Sequence, residues 1–354
     1  MRNDEIEAAI EPLLHKFAPD LEGPDADIAR EIVGTALKLA GEQVSRLDRK
    51  IVNSAIKEMR HAFRVFAPYK GIRKVSIFGS ARTTSLDPEY GAAKEFARQI
   101  AALGWMVITG AGPGIMEAGH EGAGGAKSFG ANIRLPFEAK PNPVIANDSK
   151  LINFKYFFTR KVTFMKEGDA FVLLPGGFGT MDEAFELLTL VQTGKSDVYP
   201  IVLLDRPGGD YWDAFERFVK DVLLARGLVS PDDLCLYHCV DDPAEAVQEI
   251  SRFYRVYHSQ RLIGRKLVLR LTTMPDDRVL EQLSADFSDI LGGPITVTET
   301  SNAELRDHDV PDLPRIALEF DRQHVGRLRM LIDALNERVP AGREPAVKGD
   351  PSSV

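Results

Sequence analysis

The run Pro175-Gly176-Gly177-Phe178-Gly179-Thr180-Met181-Asp182-Glu183 constrains this chain more than any other stretch. It lies between an apolar, strand-like segment at 169–174 and a helix-like run at 181–191. Three glycines in a strand-to-helix turn let backbone amides face outward where side chains would block an approaching group. The helix that follows points its positive end at the same place, and the combination makes an anion cradle. Gly176, Gly177, Gly179 and Thr180 are therefore candidate phosphate-binding residues. Glu183, one turn on, puts a carboxylate within reach of whatever carries the anion. It has two readings from pattern alone. Thr180 and Glu183 have capping-box spacing, which would satisfy amides at the helix start; alternatively the carboxylate is catalytic. Capping does not call for three glycines together.

Strand–helix alternation begins at Lys74. Strands are expected at 75–78, 105–109, 131–135, 170–174 and 201–205, with helices between them, for example at 88–103, 181–191 and 211–226. Strands rich in Val, Ile and Leu with helical crossovers predict a parallel sheet covered on both faces. The fold class is thus α/β, a doubly wound Rossmann-like sheet, in which ligands bind beyond the carboxyl ends of the strands. The glycine turns fall at those ends.

The flanks have other rhythms. Residues 1–70 show helical spacing at 4–17, 25–39 and 48–66, broken near Pro24 and Gly41, and carry no strand pattern. Residues 265–340 read as strand (267–271), helix (276–291), strands (295–300 and 315–320) and helix (325–338), a small α+β module. The expected division is a helical segment at 1–70, a catalytic domain at 71–258, a regulatory or assembly domain at 259–340 and a disordered tail at 341–354. Every candidate catalytic residue precedes 184, so a chain ending near His258 is expected to keep some activity if it remains soluble.

Composition narrows the function classes. Hydrophobic residues make up 44% and charged residues 27% of the 354, as in ordinary globular proteins. A formal net charge of −8 disfavours general nucleic-acid binding. Cys235 and Cys239 are too few for a disulfide framework, and their neighbourhood reads as a buried strand. The first residues lack a signal-peptide core, and no apolar run reaches membrane-spanning length, so a cytoplasmic location without membrane association is expected.

Three further motifs accompany the signature: Gly79-Ser80-Ala81-Arg82 after the first strand, Gly110-Ala111-Gly112-Pro113-Gly114-Ile115-Met116-Glu117 after the second, and Arg160-Lys161 ahead of the cradle. With PGGxGTxxE they resemble, in order and over residues 71–258, the LONELY GUY (LOG) family of nucleoside 5′-monophosphate phosphoribohydrolases. The resemblance implies an enzyme that cleaves the N-glycosidic bond of a purine nucleotide, AMP or an N6-modified AMP of the cytokinin type, to free base and ribose 5-phosphate. It implies Glu183 and Arg160 as catalytic residues. It further implies substrate contacts from Gly79, Ser80, Arg82, Gly112, Gly114, Met116, Glu117 and Lys161, with Lys161 the more structural of the basic pair. A homodimer is implied, and an effector at the C-terminal module is a further expectation. No metal or cofactor is expected. A nucleotide-binding sensor without catalysis, signalling through 265–340, is the alternative.

Other motifs lose to plainer readings. Residues 110–114 miss the sixth-position glycine and the ribose-binding acid of a dinucleotide fingerprint. Gly194-Lys195-Ser196 lacks the P-loop glycine, because position 189 is Thr189, and reads as a helix C-cap. His120-Glu121 opens like a zinc helix, but Gly124 stands where the second histidine belongs. Proteins with this signature have been labelled lysine decarboxylases, yet the sequence marks no Schiff-base lysine with an acidic partner.

Overall fold

Val75 and Ile77 face one side of a strand, Lys74–Phe78 (β1), while Phe78 faces the other, and all five residues are buried. The same alternation recurs in Met106–Thr109 (β2) and Ala170–Leu173 (β5), where Val107, Ala170 and Val172 join Ile77 while Ile108, Phe171 and Leu173 oppose them. A sheet apolar on both faces must be covered twice, and helices from the intervening chain do this. The computed structural model describes residues 3–134 and 140–340, and the chain divides into two compact units between His61 and Ala62.

The first unit is helical. Asn3–Phe17 (α1) and Gly23–Gly41 (α2) pack together, with Ile6 and Ile10 buried and 3.7 Å from where a Cβ on Gly34 would stand. Arg46–Phe66 (α3) runs through the division.

The second unit alternates strand and helix. Pro88–Ala102 (α4) follows β1, Ile115–Ala123 (α5) follows β2, and Ser128–Ile133 (β3) and Leu151–Phe154 (β4) extend the sheet. Phe157–Glu167 (α6) leads into β5, and Phe178–Gln192 (α7) leaves it. Ile201–Leu204 (β6), Tyr211–Phe218 (α8), His238–Val240 (β7) and Pro243–Phe253 (α9) complete the layer. The order is β4-β3-β2-β1-β5-β6-β7, and every pairing is parallel. The chain winds outward from β1 to β4, returns beside β1 as β5, and winds out the other way. The strand ends of β1 and β5 therefore flank the switch point where such sheets open a crevice.

A four-stranded antiparallel sheet follows, built from Tyr257–Ile263 (β8), Lys266–Leu271 (β9), Thr296–Val297 (β10) and Arg315–Leu318 (β11) in the order β10-β11-β9-β8. Asp277–Asp286 (α10), Asn302–Arg306 (α11) and Val325–Arg338 (α12) connect and cover it. Its apolar side chains, among them Leu269, Leu271, Leu283 and Leu335, share one continuous core with Phe171, Leu187 and Trp212 of the parallel layer.

Several expected boundaries move. The strand expected at 131–135 is β3, starting at Ser128. Buried Ser128 is tolerated because its hydroxyl donates to Gly124 O at 2.8 Å, while Leu135 lies outside the described residues. β4 and β8 carry no strand signal strong enough to read, whereas β7 is the strand expected around the cysteines, shorter and less buried than expected. β4 and β7 are short edge strands, and the side chains of β8 are mostly half-buried and polar. Cys239 lies in β7, but Cys235 falls in a tight 3₁₀ segment, Pro231–Leu236, and both are half-buried rather than core. The helix expected at 211–226 ends at Phe218 and continues as a π-helical turn, Val219–Leu224. The helix expected at 276–291 stops at Asp286, where the chain turns Phe287 and Ile290 into the core. The strands expected at 295–300 and 315–320 shorten to β10 and β11, with a lone bridge pairing Leu291 and Phe320. The tail at 341–354 lies outside the described residues.

Candidate active site

Three strand-to-helix turns meet at the switch point. Ser80 N donates to Pro175 O at 3.1 Å, and Ile115 N donates to Ser80 O at 3.1 Å, so the turn after β1 is fastened to those after β5 and β2. The packing between them leaves no room for side chains. A Cβ on Gly79 would fall 2.6 Å from Ile115 Cγ2, and one on Gly114 would fall 2.3 Å from Ser80 O. Gly114 also has φ +70°, which a side chain would strain. We expect Gly114→Ala to destabilise the fold by about 2–4 kcal/mol, from strain plus a backbone clash. Thermal unfolding measures this, and an unchanged Tm would show that the turns are not interlocked.

The second turn rests on a buried polar network. Asn142 Nδ2 donates to Ala111 O at 3.1 Å and to Gly112 O at 3.0 Å, holding Ala111 at φ +63°. Asn142 in turn meets His120 Nδ1, whose Nε2 lies 3.0 Å from both Thr109 Oγ1 and Phe129 O. Burial lowers the His120 pKa, so the ring is neutral. His120 supports the turn; among the described residues no cluster of His, Cys, Asp and Glu is arranged to hold a metal.

Between the turns opens a cleft of about 850 Å³. Gly79, Ser80, Arg82, Met116, Arg160, Gly176, Gly177, Gly179, Thr180 and Glu183 line it, as the sequence expects. Gly112, Gly114, Glu117 and Lys161 do not. Gly112 instead makes room for Met116, since a Cβ there would fall 2.6 Å from Met116 Cε. Phe78, Ile133, Phe157, Phe164 and Tyr211 complete the walls. No local motif marks these, since each reaches the cleft through the sheet order.

The cradle is open toward this cleft. Met181 N makes the first intrahelical bond of α7, to Gly177 O at 3.1 Å, so the amides of Phe178, Gly179 and Thr180 precede the hydrogen-bonded ladder. Gly177 is the N-cap and supplies no side-chain cap. A Cβ on Gly176 would fall 2.1 Å from Thr180 Oγ1, so packing demands that glycine. At Gly177 and Gly179 a Cβ would meet nothing within 4 Å, and neither has a left-handed φ. Neither packing nor conformation asks for glycine there, whereas backbone approach from the cleft does.

Glu183 settles in the wall, not at the cap. It is buried, and its Oε1 accepts from Arg160 Nη2 at 3.2 Å. Its Oε2 accepts no hydrogen bond among the described residues and lies 3.8 Å from Lys161 Nζ. The capping-box reading fails because the helix starts at Phe178, which puts Glu183 beyond the first turn. Burial pushes the Glu183 pKa up, against the pull of the Arg160 and Lys161 charges. Arg160 is held over the ring of Phe157 at 5.0 Å, with Phe164 at 5.8 Å. Lys161 reaches Asp182 at 2.9 Å and Glu186 at 2.6 Å, clamping α6 to α7.

Residues 114–250 match a family model described as "Possible lysine decarboxylase". A cytokinin riboside 5′-monophosphate phosphoribohydrolase of Mycobacterium tuberculosis is 30% identical over 164 residues, 44% of this chain and 82% of that protein. The chain belongs to the LOG family. A probable cytokinin riboside 5′-monophosphate phosphoribohydrolase of Arabidopsis thaliana is 40% identical over 72 residues, 20% of this chain and 34% of the plant protein. The chain thus matches only about a third of the length of such plant relatives. A molybdenum cofactor binding protein of Rippkaea orientalis aligns at 20% identity and TM-score 0.38, over 51% of this chain and 96% of that one. Among the described residues no lysine lines the cleft of this LOG-family chain.

Proposed function

We propose that this chain hydrolyses the N-glycosidic bond of a purine nucleoside 5′-monophosphate, releasing free base and ribose 5-phosphate. The observation that carries the reading is the carboxylate of Glu183, buried in the wall of a cleft whose rim is a helix N-terminus with open glycine amides. Glycosidic cleavage builds positive charge at C1′, which a fixed carboxylate stabilises most where water is excluded. The 5′-phosphate sits on the amides of Gly177, Gly179 and Thr180. Glu183 stabilises the ribosyl cation or orients the attacking water. Arg160, stacked and paired, holds the phosphate or sugar, and its charge opposes the burial that raises the Glu183 pKa. Met116, Ile133 and Phe164 supply an apolar wall for the base. The relatives' names point to a cytokinin riboside 5′-monophosphate, an N6-modified AMP, and the proposed substrate class extends to AMP itself. Residues 71–258 supply the chemistry in this reading, and 259–340 assemble or regulate it. The working form is a homodimer, which the exposed Phe158 and Val162, one turn apart on α6, support as an apolar surface.

Release of free base from AMP, GMP, CMP and isopentenyl-AMP tests the reading directly. Adenosine is expected to show kcat/KM at least about 100-fold below AMP, since remote phosphate binding stabilises the transition state. AMP at 100 times its Kd should stabilise the fold by about 2.7 kcal/mol. Equal rates on nucleoside and nucleotide would remove the cradle from the mechanism; binding without release of any base would leave a nucleotide sensor.

A further inference from the structure

The turn after β6 reaches back into the cleft from the far side of the switch point. Asp205, buried at the strand end, accepts from Arg206 N at 2.8 Å through Oδ1 and from Tyr211 N at 2.9 Å through Oδ2. Gly209 packs directly on this carboxylate, since a Cβ there would fall 2.2 Å from Oδ1. Trp212 Nε1 donates to Leu204 O at 3.1 Å, so the first turn of α8 is pinned to β6 at two points. The pinned turn delivers Tyr211 to the cleft, where its hydroxyl donates to Gly176 O at 2.6 Å.

We propose that Tyr211 is a positioning residue for the anion cradle, turning the Gly176 carbonyl away from the bound phosphate and so presenting the Gly177 amide to it. The proposal rests on the nucleotide reading above. Its physics is that of one peptide plane. In a trans peptide the C=O and N–H point in opposite directions, so fixing one fixes the other. Glycine on both sides of the Gly176–Gly177 bond leaves that plane free to rotate at little steric cost. Rotated, it would set a carbonyl oxygen against the phosphate and withdraw a donor. Nothing else among the described contacts of Gly176 holds the carbonyl: Thr180 packs over its Cα, and Ser80 N is taken by Pro175 O. The Tyr211 hydroxyl supplies the missing constraint, and the Asp205–Gly209 turn holds the ring.

The test is calorimetric titration of the full chain with AMP, ribose 5-phosphate and adenosine, on wild type and Tyr211→Phe, alongside steady-state kinetics with AMP. Loss of one orienting hydrogen bond is expected to weaken AMP and ribose 5-phosphate about fivefold to twentyfold. Adenosine binding should stay as in wild type. The loss should appear in the KM for AMP, with kcat nearly preserved, because phosphate binding is common to ground and transition states. Gly209→Ala, which drives a methyl into the Asp205 carboxylate and shifts the ring, should reproduce the same phosphate-selective loss. Equal loss for adenosine and AMP would make Tyr211 a general packing residue and overturn the proposal, as would unchanged affinity in Tyr211→Phe. Wild-type protein that binds neither AMP nor ribose 5-phosphate would overturn the nucleotide reading and this inference with it.

Discussion

Glu183→Gln is expected to lower kcat for base release by at least about 10³-fold while the chain keeps its fold and its affinity for AMP. The substitution preserves shape and the hydrogen bond from Arg160, 3.2 Å away, but deletes the negative charge that a developing ribosyl cation needs in a water-poor site. Stability should not suffer. Burial raises the Glu183 pKa, so the folded state prefers the uncharged carboxyl, and the group's contribution to stability falls as pH rises through its folded pKa. An amide, neutral at every pH, escapes that penalty, and Tm should hold or rise slightly. The same shift fixes the sign of the pH dependence. Activity requires the ionised form, so kcat/KM should climb with pH on an acid limb lying above the ordinary carboxylate range, and Glu183→Gln should lack that limb. Circular dichroism, AMP titration and a pH–rate profile check the three parts. Near-wild-type turnover in the variant would return Glu183 to a structural role.

The parts of this site visible in sequence are those fixed by chain-local physics. A glycine turn between an apolar strand and a helix defines a cradle wherever it occurs, so Gly176, Gly177, Gly179 and Thr180 were readable, and all four line the cleft. Glu183 was ambiguous because capping and catalysis ask for the same spacing. What separates them is the helix start at Phe178, a matter of where the ladder of hydrogen bonds begins. Tyr211 was invisible because its link to Gly176 spans 35 residues and exists only once β6 lies beside β5. Lys161, expected as the more structural of the basic pair, stands beside the cleft and not in its lining. Its neighbour Arg160 faces the cleft, but one step along a helix rotates a side chain by about 100°, and Lys161 meets Asp182 and Glu186 on α7 instead. The parallel strands β1, β2, β5 and β6 were legible from their Val, Ile, Leu and Phe content. The edge strand β4, with one face less buried, was not.

Truncation after His258 is expected to abolish cooperative folding, and with it hydrolysis, replacing the expectation from sequence that such a chain stays active. The cut falls inside β8, which begins at Tyr257. More importantly, it removes more than a third of a shared core. Leu328, Leu331, Ile332 and Leu335 of α12 are buried in the same cluster as Phe171, Leu187 and Trp212 of the parallel layer. Burying four such side chains contributes roughly 6–12 kcal/mol, comparable with the whole net stability of a typical domain, about 5–15 kcal/mol. Polar ties go too. Asn336 Oδ1 accepts from Val256 N at 2.8 Å, and its Nδ2 donates to Phe253 O at 2.7 Å, closing the end of α9. Arg329, buried, pairs with Glu249 of α9, and its loss would leave that buried acid with only the more exposed Arg252 and His238 beside it. The parallel layer would therefore face water where α12 now lies. Loss of a sigmoidal urea transition in the truncated chain, with aggregation on refolding, is the expected readout. A truncated chain that unfolds cooperatively and still releases base from AMP would show that the parallel layer is self-sufficient, and would leave residues 259–340 an accessory rather than part of the catalytic fold.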